Sequence, residues 1–466
     1  MTTHTTAPPA NTTAERRRVV AATTIGTAIE WYDYFLYAAT AGLVFNQLMF
    51  AGFGPDAATI VAFLTMGLSF LFRPLGAFLV GHAADRYGRR IPLMVTLIAM
   101  GGATTAIGLL PTYATIGIWA PILLIILRII QGISAGGEWG SAVLLAVEHA
   151  PHGKRGLFGA GPQTGVPLGL LVSSAALAIM NVIAPGDAFM EWGWRVPFLF
   201  SSVLVFLGFY IRRGVEESPV FEEMAEQRKV ETSNPIGTLF RRFSPLVLVT
   251  ALLFAANGTV GYMTTGGYIQ NYTTRPDGLG MERGDILLAV TVSAVVWLLF
   301  TAFAGYISDV IGRRMTYIVG FAVQAVGAFV LFPLVNTGSL PKIYLALCFL
   351  AIGLGLTYGQ TGATFAEIFP AEVRASGASI SYALGSILGG AFAPTVAASL
   401  YANTGTTWAI TGYLVTASLI GLLAAVCLRE RKNIPLGHEF NAVQEQGHFI
   451  WQPAPTWDAT PVRSSH

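Results

Sequence analysis

Twelve apolar runs, each long enough to cross the roughly 30 Å hydrocarbon core of a bilayer, govern what this chain can fold into. They fall near residues 20–46, 58–80, 91–110, 120–147, 157–184, 194–211, 243–270, 284–307, 315–335, 342–366, 376–401 and 406–428. Lipid offers backbone amides and carbonyls no partner, so runs of this length must satisfy themselves as helices. Composition agrees. Hydrophobic residues make up 53% of the 466 positions and charged residues 11%, against about 25% charged in soluble chains, and mean hydropathy is +0.60. The reading is an all-α integral membrane protein. Residues 1–18 are polar and the first apolar run is too long for a cleavable leader.

Lys and Arg orient the spans. Of the 27, twenty-one fall on the side that holds both termini, four (Arg195, Arg275, Arg283 and Lys342) fall on the other, and Arg73 and Arg128 lie within runs. Positive charge collects inside, so both termini are expected in the cytoplasm. Cys348 and Cys427 both sit in apolar runs and offer neither a disulfide framework nor a thiolate metal site. His149 and His152, beside Lys154, have no third ligand nearby and read as loop residues. No G-x-x-x-x-G-K-[ST] motif occurs, which argues against a nucleotide-driven pump. No metal, cofactor or nucleic-acid partner is expected.

The chain repeats itself. GHAADRYGRR at 81–90 returns as GYISDVIGRR at 305–314, each between the second and third spans of a six-span half. A second echo follows the fourth span of each half: Glu148, Pro151 and Arg155 recur as Glu367, Pro370 and Arg374. Two parallel halves, 19–211 and 243–428, are the simplest arrangement. Residues 1–18 and 429–466 are then cytoplasmic tails, and 212–242 a cytoplasmic linker with one amphipathic helix in VEESPVFEEMAEQRK. Composition predicts no structure for the N-terminal tail or beyond Asn433.

Charge inside the spans carries the functional signal. On insertion scales an acid at mid-bilayer costs about 2.5–3.5 kcal/mol against a gain of about 0.3–0.6 for each Leu or Ile, so Glu30 and Asp33 must be paired, protonated or wet. At 1.5 Å per residue, Glu30 lies about 15 Å deep, Asp33 about 20 Å deep, and Arg128 about 10 Å below the outer face. Asp33 and Arg128 therefore share a level and are expected to pair. Such a pair could couple protons, because opening it would change how tightly Asp33 holds one. Arg73 and Glu138 fall together nearer the cytoplasm and form a possible second pair. That leaves Glu30 as the surplus acid, protonated or facing a cationic group. The second half has no charge well inside a span but carries Asn257, Tyr262, Gln270, Tyr358, Gln360 and Tyr382. A cavity with one charged wall and one hydrogen-bonding wall suits a small hydroxylated organic acid. Substrate-binding candidates are Arg73, Glu138, Tyr37, Gln163, Asn257, Tyr358, Gln360 and Tyr382. In the repeated loop, Gly81, Gly88, Gly305 and Gly312 permit close approach, while Asp85 and Asp309 can accept bonds from a helix N-terminus or an Arg. With Arg86, Arg89, Arg90, Arg313 and Arg314 they are candidates for conformational gating.

This doubled loop resembles the signature of the major facilitator superfamily. Within it, EWYDYFLY, FLFRPLGAFLVGHAADRYGRR, LRIIQGISAGGEWGSAVLLAVEHAP, WGWRVPF and EESPVF stand in the order found in metabolite:proton symporters, and PTYATIGIWAPILL resembles bacterial shikimate transporters. The resemblance spans about residues 20–430. It implies twelve helices in two six-helix halves, a monomer in the bacterial inner membrane, and proton coupling through the helix-one acid and the Arg of RxxQG, here Asp33 and Arg128. The implied function is proton-coupled import of a shikimate-like, dicarboxylic or aromatic acid by alternating access, with no enzymatic activity. Uptake of a zwitterionic osmolyte such as a betaine is the alternative. Proton-driven drug efflux, through the partial Gly-Pro motif FGAGPQTGVPLG, and a transporter-like sensor stand further back.

Overall fold

The computed structural model describes residues 13–87, 90–136, 138–148, 150–151, 153–213, 235–276, 278–437 and 440–453. Twelve helical rods follow one another: α1 (Thr13–Thr40), α2 (Pro55–Tyr87), α3 (Arg90–Leu109), α4 (Trp119–Ser134 and Glu138–Glu148), α5 (Arg155–Ile183) and α6 (Arg195–Arg213), then α7 (Pro235–Met263), α8 (Arg283–Ile311), α9 (Arg313–Val335), α10 (Leu340–Tyr358 and Thr361–Ile368), α11 (Arg374–Gly385 and Ala393–Thr404) and α12 (Thr407–Cys427). Each apolar run of the sequence has become one rod. Strand pairing among the described residues is limited to an isolated bridge between Leu428 and Phe449.

The repeat in the sequence is a repeat in the backbone. A π-turn at Ala41–Phe45 extends α1, and another at Thr264–Tyr268 extends α7, 223 positions on. α4 breaks around Gly136 and α10 breaks at Gly359, again 223 apart. Both breaks serve close crossings. A methyl group on Gly136 would strike the Arg73 carbonyl of α2, and one on Gly359 would strike the Thr301 carbonyl of α8. Gly132, one turn earlier, rests on the backbone of Ser69. Between α8 and α9, Gly312 turns the chain alone at φ +97°, where an L side chain is strained. The second loop motif therefore needs its last glycine.

Between the halves, α5 packs along α8 and α2 along α11. The core is aromatic at mid-depth, with Trp31, Phe35, Phe70, Tyr262, Trp297 and Tyr382 all buried. The ends of α1 and α12 lie on one face, called here the terminal face: Val20 meets Gly161 of α5, and Ile434 meets Arg155.

Three expectations about flanking segments need correction or fall outside view. α1 begins at Thr13, inside the stretch read as unstructured. α7 begins at Pro235, bent at Phe243, so its first turns lie in the segment read as linker; the amphipathic helix expected before it falls outside the described residues. The tail after Asn433 is ordered through residue 453 rather than loose. Ile434, Gln444, His448 and Phe449 are buried in it. The Gln444 amide donates to the carbonyls of Pro435 (2.7 Å) and Gly437 (2.9 Å) and accepts from Ala371 N (2.7 Å) and Arg374 Nη2 (3.1 Å). Composition missed this because the segment is held by side-chain bonds to helix ends and by a few apolar residues, Phe449 packing in a cluster with Leu239, Phe243 and Val247, that are scattered among prolines and polar residues.

Candidate functional site

Asp33 and Arg128 are both buried, 3% and 2% exposed, at the same level, but they do not touch. Asp33 Oδ2 accepts from the Thr104 hydroxyl of α3 and Oδ1 from the Ser201 hydroxyl of α6, each at 2.8 Å. Arg128 donates to Gln131 Oε1 (2.8 Å) on its own helix and to Ser69 Oγ (2.9 Å), the Met66 carbonyl (3.3 Å) and the Thr65 carbonyl (3.4 Å) of α2. The link between them runs through two neutral residues, for Gln131 Nε2 donates to Thr104 Oγ1 at 2.7 Å. The expected direct ion pair is thus replaced by a chain, Arg128 to Gln131 to Thr104 to Asp33. Depth along a helix fixed the level and said nothing of the direction each side chain faces. Gln131 was in view as the fourth residue of the RxxQG run; Thr104 and Ser201 carried no signal that separates them from other span hydroxyls. Tyr37 closes this network: its ring lies 3.9 Å from the Arg128 guanidinium carbon and its hydroxyl is 2.5 Å from Thr65 Oγ1.

A direct ion pair does form at this depth, Arg73 with Glu30, 3.0 Å from Nη2 to Oε1, the side chains 13% and 11% exposed. Glu30, expected as the surplus acid, protonated or facing a cationic group, takes the arginine that depth alone would match with Glu138. Glu138, the partner first considered for Arg73, has its side chain outside the described residues. Arg73 Nε is buried with no hydrogen-bond partner. Its guanidinium carbon stands 4.6 Å from the Phe70 ring and 5.7 Å from Trp31, favourable contacts for a cation held away from water.

Aromatic rings from both halves enclose this pair. Trp31 and Phe70 of the first half meet Tyr262 of the second at 5.6 Å each. Trp139 of α4 stacks on Tyr382 of α11 at 3.7 Å, and Tyr382 meets Phe254 at 4.2 Å. Trp139 donates to Gln163 Oε1 (2.9 Å), whose amide nitrogen reaches the Tyr358 carbonyl (3.4 Å). Gln360 is fully buried and neither atom of its amide has a partner; the Tyr34 hydroxyl and Trp297 Nε1 are likewise buried and unpartnered. Such groups are costly unless something else completes them. Asn257 lies elsewhere in its half, donating to Thr357 Oγ1 (2.6 Å) and the Leu354 carbonyl (3.2 Å), so its bonds join α7 to α10.

The two halves are joined on both faces. On the terminal face, Asp309 of the second loop motif caps α5 of the other half, accepting from Gly156 N (2.8 Å) and Leu157 N (2.9 Å). A carboxylate at a helix N-terminus meets free amides and the positive end of the dipole. Arg313 binds Asp309 (2.7 Å) and Glu367 (2.9 Å), Arg155 reaches Glu367 (3.5 Å), and Arg374 reaches the half-exposed Glu148 (4.0 Å). The second echo of the sequence is therefore an exchange, each half's acid meeting the other half's arginine. Gly305 packs against Gly156 and Ala160, and Arg314 N donates to Glu430 (2.9 Å). For the first loop copy, the side chains of Asp85, Arg86, Arg89 and Arg90, with Gly81 and Gly88, fall outside the described residues. On the opposite face the two π-turns meet, Gly42 against Gly267, and Asn271 Nδ2 donates to the Gly42 carbonyl at 2.8 Å.

Residues 19–236 match the family of sugar (and other) transporters, and residues 276–457 match the major facilitator superfamily. The chain is 39% identical to the inner membrane metabolite transport protein YhjE of Escherichia coli, covering 90% of this chain and 95% of that one. It is 38% identical to the shikimate transporter of E. coli (89% and 94% covered) and 30% identical to the proline/betaine transporter of the same organism (90% and 85%). Its fold superposes on a D-xylose-proton symporter with a TM-score of 0.72 at 20% identity, over 90% of this chain and 99% of that one. Twelve rods in two repeated halves, a motif loop in each, and these relatives identify one family. The chain is a multi-pass membrane transporter, not an enzyme, and it belongs to the major facilitator superfamily among that superfamily's metabolite transporters.

Proposed function

We infer that the protein imports a small organic acid anion together with protons, by alternating access of a central site between its two halves. The observation that carries this reading is the Glu30–Arg73 pair: a cation with one unpartnered donor stands against the rings of Trp31 and Phe70, and in the second half the Gln360 amide is likewise buried without a partner. Arg73 is the anchor for a carboxylate, and Gln360, Tyr358, Tyr382 and Gln163 serve its hydroxyls. Asp33, tied to Arg128 through Thr104 and Gln131, is the coupling acid. The segments 19–211 and 243–428 rock as units, with Asp309, Arg313 and Arg314, and by repetition Asp85, Arg86, Arg89 and Arg90, holding the terminal face shut in one state. That face is the cytoplasmic one, by the positive-inside distribution, of a bacterial inner membrane, and the working unit is a monomer.

The kinship to a shikimate transporter supports an acid substrate. A second reading, uptake of a zwitterion such as a betaine, draws on the kinship to proline/betaine transporters and on the cage of Trp31, Tyr34, Phe70 and Tyr262, since aromatic faces receive quaternary ammonium groups. Uptake into proteoliposomes under an imposed pH gradient tests both. Accumulation of shikimate, succinate or benzoate is the expected result. Accumulation of glycine betaine alone would replace this reading with the second, and accumulation of none would direct attention to efflux or sensing.

A further inference from the structure

The geometry points to a site for the phosphate of an anionic phospholipid, held between Arg314 at the start of α9 and Arg429 just beyond the end of α12, in the leaflet of the terminal face. It does not depend on which solute is carried. A hollow of about 320 Å³, counted with the open space at its mouth, is lined there by Arg313, Arg314, Arg429 and Arg431, with Glu367 as its one acid. Arg155 and Arg313 balance Glu367 and Asp309. The side chains of the other three arginines bond carbonyls: Arg314 that of Val426 (3.0 Å), Arg429 those of Ile450 (3.1 Å) and Gln452, and Arg431 those of Glu367, Gln444 and Gln446. Glu430 is exposed and accepts from the backbone amides of Arg314, Arg431 and Lys432. One acid is thus left in this cluster against Arg314, Arg429, Arg431 and Lys432. Nε of Arg314 and Nε of Arg429 are both buried with no hydrogen-bond partner. Guanidinium donors kept from water are costly until an acceptor completes them, and phosphate oxygens suit them.

Lipid, rather than the aqueous phase, is the source that the surroundings favour. α9 packs along α12, and both present apolar residues outward below the hollow, Met315 and Val319 from one, Leu423 and Val426 from the other. The Val426 carbonyl is the one that Arg314 holds, so the arginines stand where this greasy seam ends. The C-terminal segment returns to the same place. Ile450 N donates to the Cys427 carbonyl of α12 (3.1 Å), and Ile450 and Trp451 are 46% and 66% exposed beside it. An outward Trp next to Arg at the end of a span is how chains settle at the headgroup level, and anionic headgroups collect at such basic rims. A phosphate bridging Arg314 and Arg429 would leave its acyl chains along the seam. It would also fasten the C-terminal segment to α9, because Arg429 holds the Ile450 and Gln452 carbonyls.

Native mass spectrometry of the full chain in detergent, titrated with phosphatidylglycerol or phosphatidylcholine of matched acyl chains, tests this. The wild type is expected to hold phosphatidylglycerol about thirtyfold more tightly, each of two guanidinium contacts contributing about fivefold. Arg314→Gln and Arg429→Gln should each lose about fivefold, and together should bring the two lipids level. Arg241→Gln, an exposed arginine near the start of α7, should leave the preference unchanged. Equal affinity of the wild type for both lipids, or an undiminished preference in the double variant, overturns the assignment. Displacement of phosphatidylglycerol by an equal concentration of inorganic phosphate would overturn the lipid source and give the arginines to a soluble oxyanion. Should the double variant fail to fold, a photoactivatable phosphatidylglycerol on the wild type carries the test. Adducts are expected within 315–319, 423–426 and 450–451, and label spread evenly over the exposed spans overturns the site.

Discussion

Thr104 joins the two halves of the proton network, because one hydroxyl both donates to Asp33 and accepts from Gln131. Thr104→Val keeps the shape and removes both bonds. Its expected effect is a loss of about 1–3 kcal/mol of stability, from stranded buried partners, and a fall in uphill acid uptake beyond any loss of folded protein. Uptake per folded molecule against pH gradient measures this, and unchanged coupling would remove Thr104 from the pathway. Both acids and both arginines were legible in the sequence, since charge inside an apolar run stands out. Their partners were not. Helical rise gives depth, but the facing of a side chain depends on how helices rotate against one another, and so Arg73 met Glu30 while Arg128 met neutral groups.

At the scale of elements, closure of the opposite face depends on two π-turns brought together at Gly42 and Gly267. Gly267 has φ +88°, and a methyl group there would strike the Ala38 carbonyl of α1. Gly267→Ala is expected to disfavour this closed arrangement by strain on the order of 1–2 kcal/mol plus that contact. A cysteine placed at Asn271, in a chain whose Cys348 and Cys427 are replaced, should then label faster with a polar thiol reagent. Equal labelling would show that the contact does not limit opening. The spans and the repeat were legible because lipid demands long apolar helices and because the two loop motifs share spacing. The π-turns and the breaks at Gly136 and Gly359 were not, since they answer to crossings between helices rather than to local composition.

Across the whole molecule, the C-terminal segment behaves as a strap. Arg431 donates to the Glu367 and Gln444 carbonyls (3.3 and 2.7 Å), and Arg155 of the first half reaches the Ile434 carbonyl at 2.6 Å. Burial, and then the Arg431 guanidinium beside it, pushes the His448 imidazole down to about 3. The docked strap excludes the charged ring, while the released strap takes a proton near the ordinary value of about 6.5. Docking is therefore complete above about pH 6.5 and weakens as pH falls from there toward 3. Limited proteolysis at pH 7.5 and 5 checks this: cleavage near residues 440–453 should accelerate at the lower pH, and His448→Phe should flatten the difference. Proline and polar residues made this segment read as loose, and its order comes from the helix ends it binds and from the few apolar side chains, Phe449 among them, that it packs against them.

The charges described inside the bundle are Glu30, Asp33, Arg73 and Arg128, two of each sign and all in the first half. Moving one elementary charge through 100 mV is worth about 2.3 kcal/mol, and these four cancel, which leaves Glu138 of α4 as the one further acid in a span of this half. Resetting of the unloaded molecule is therefore expected to respond to voltage by no more than the charge on that one carboxylate, so that an electrical potential acts on the cycle chiefly through whatever net charge travels with the cargo.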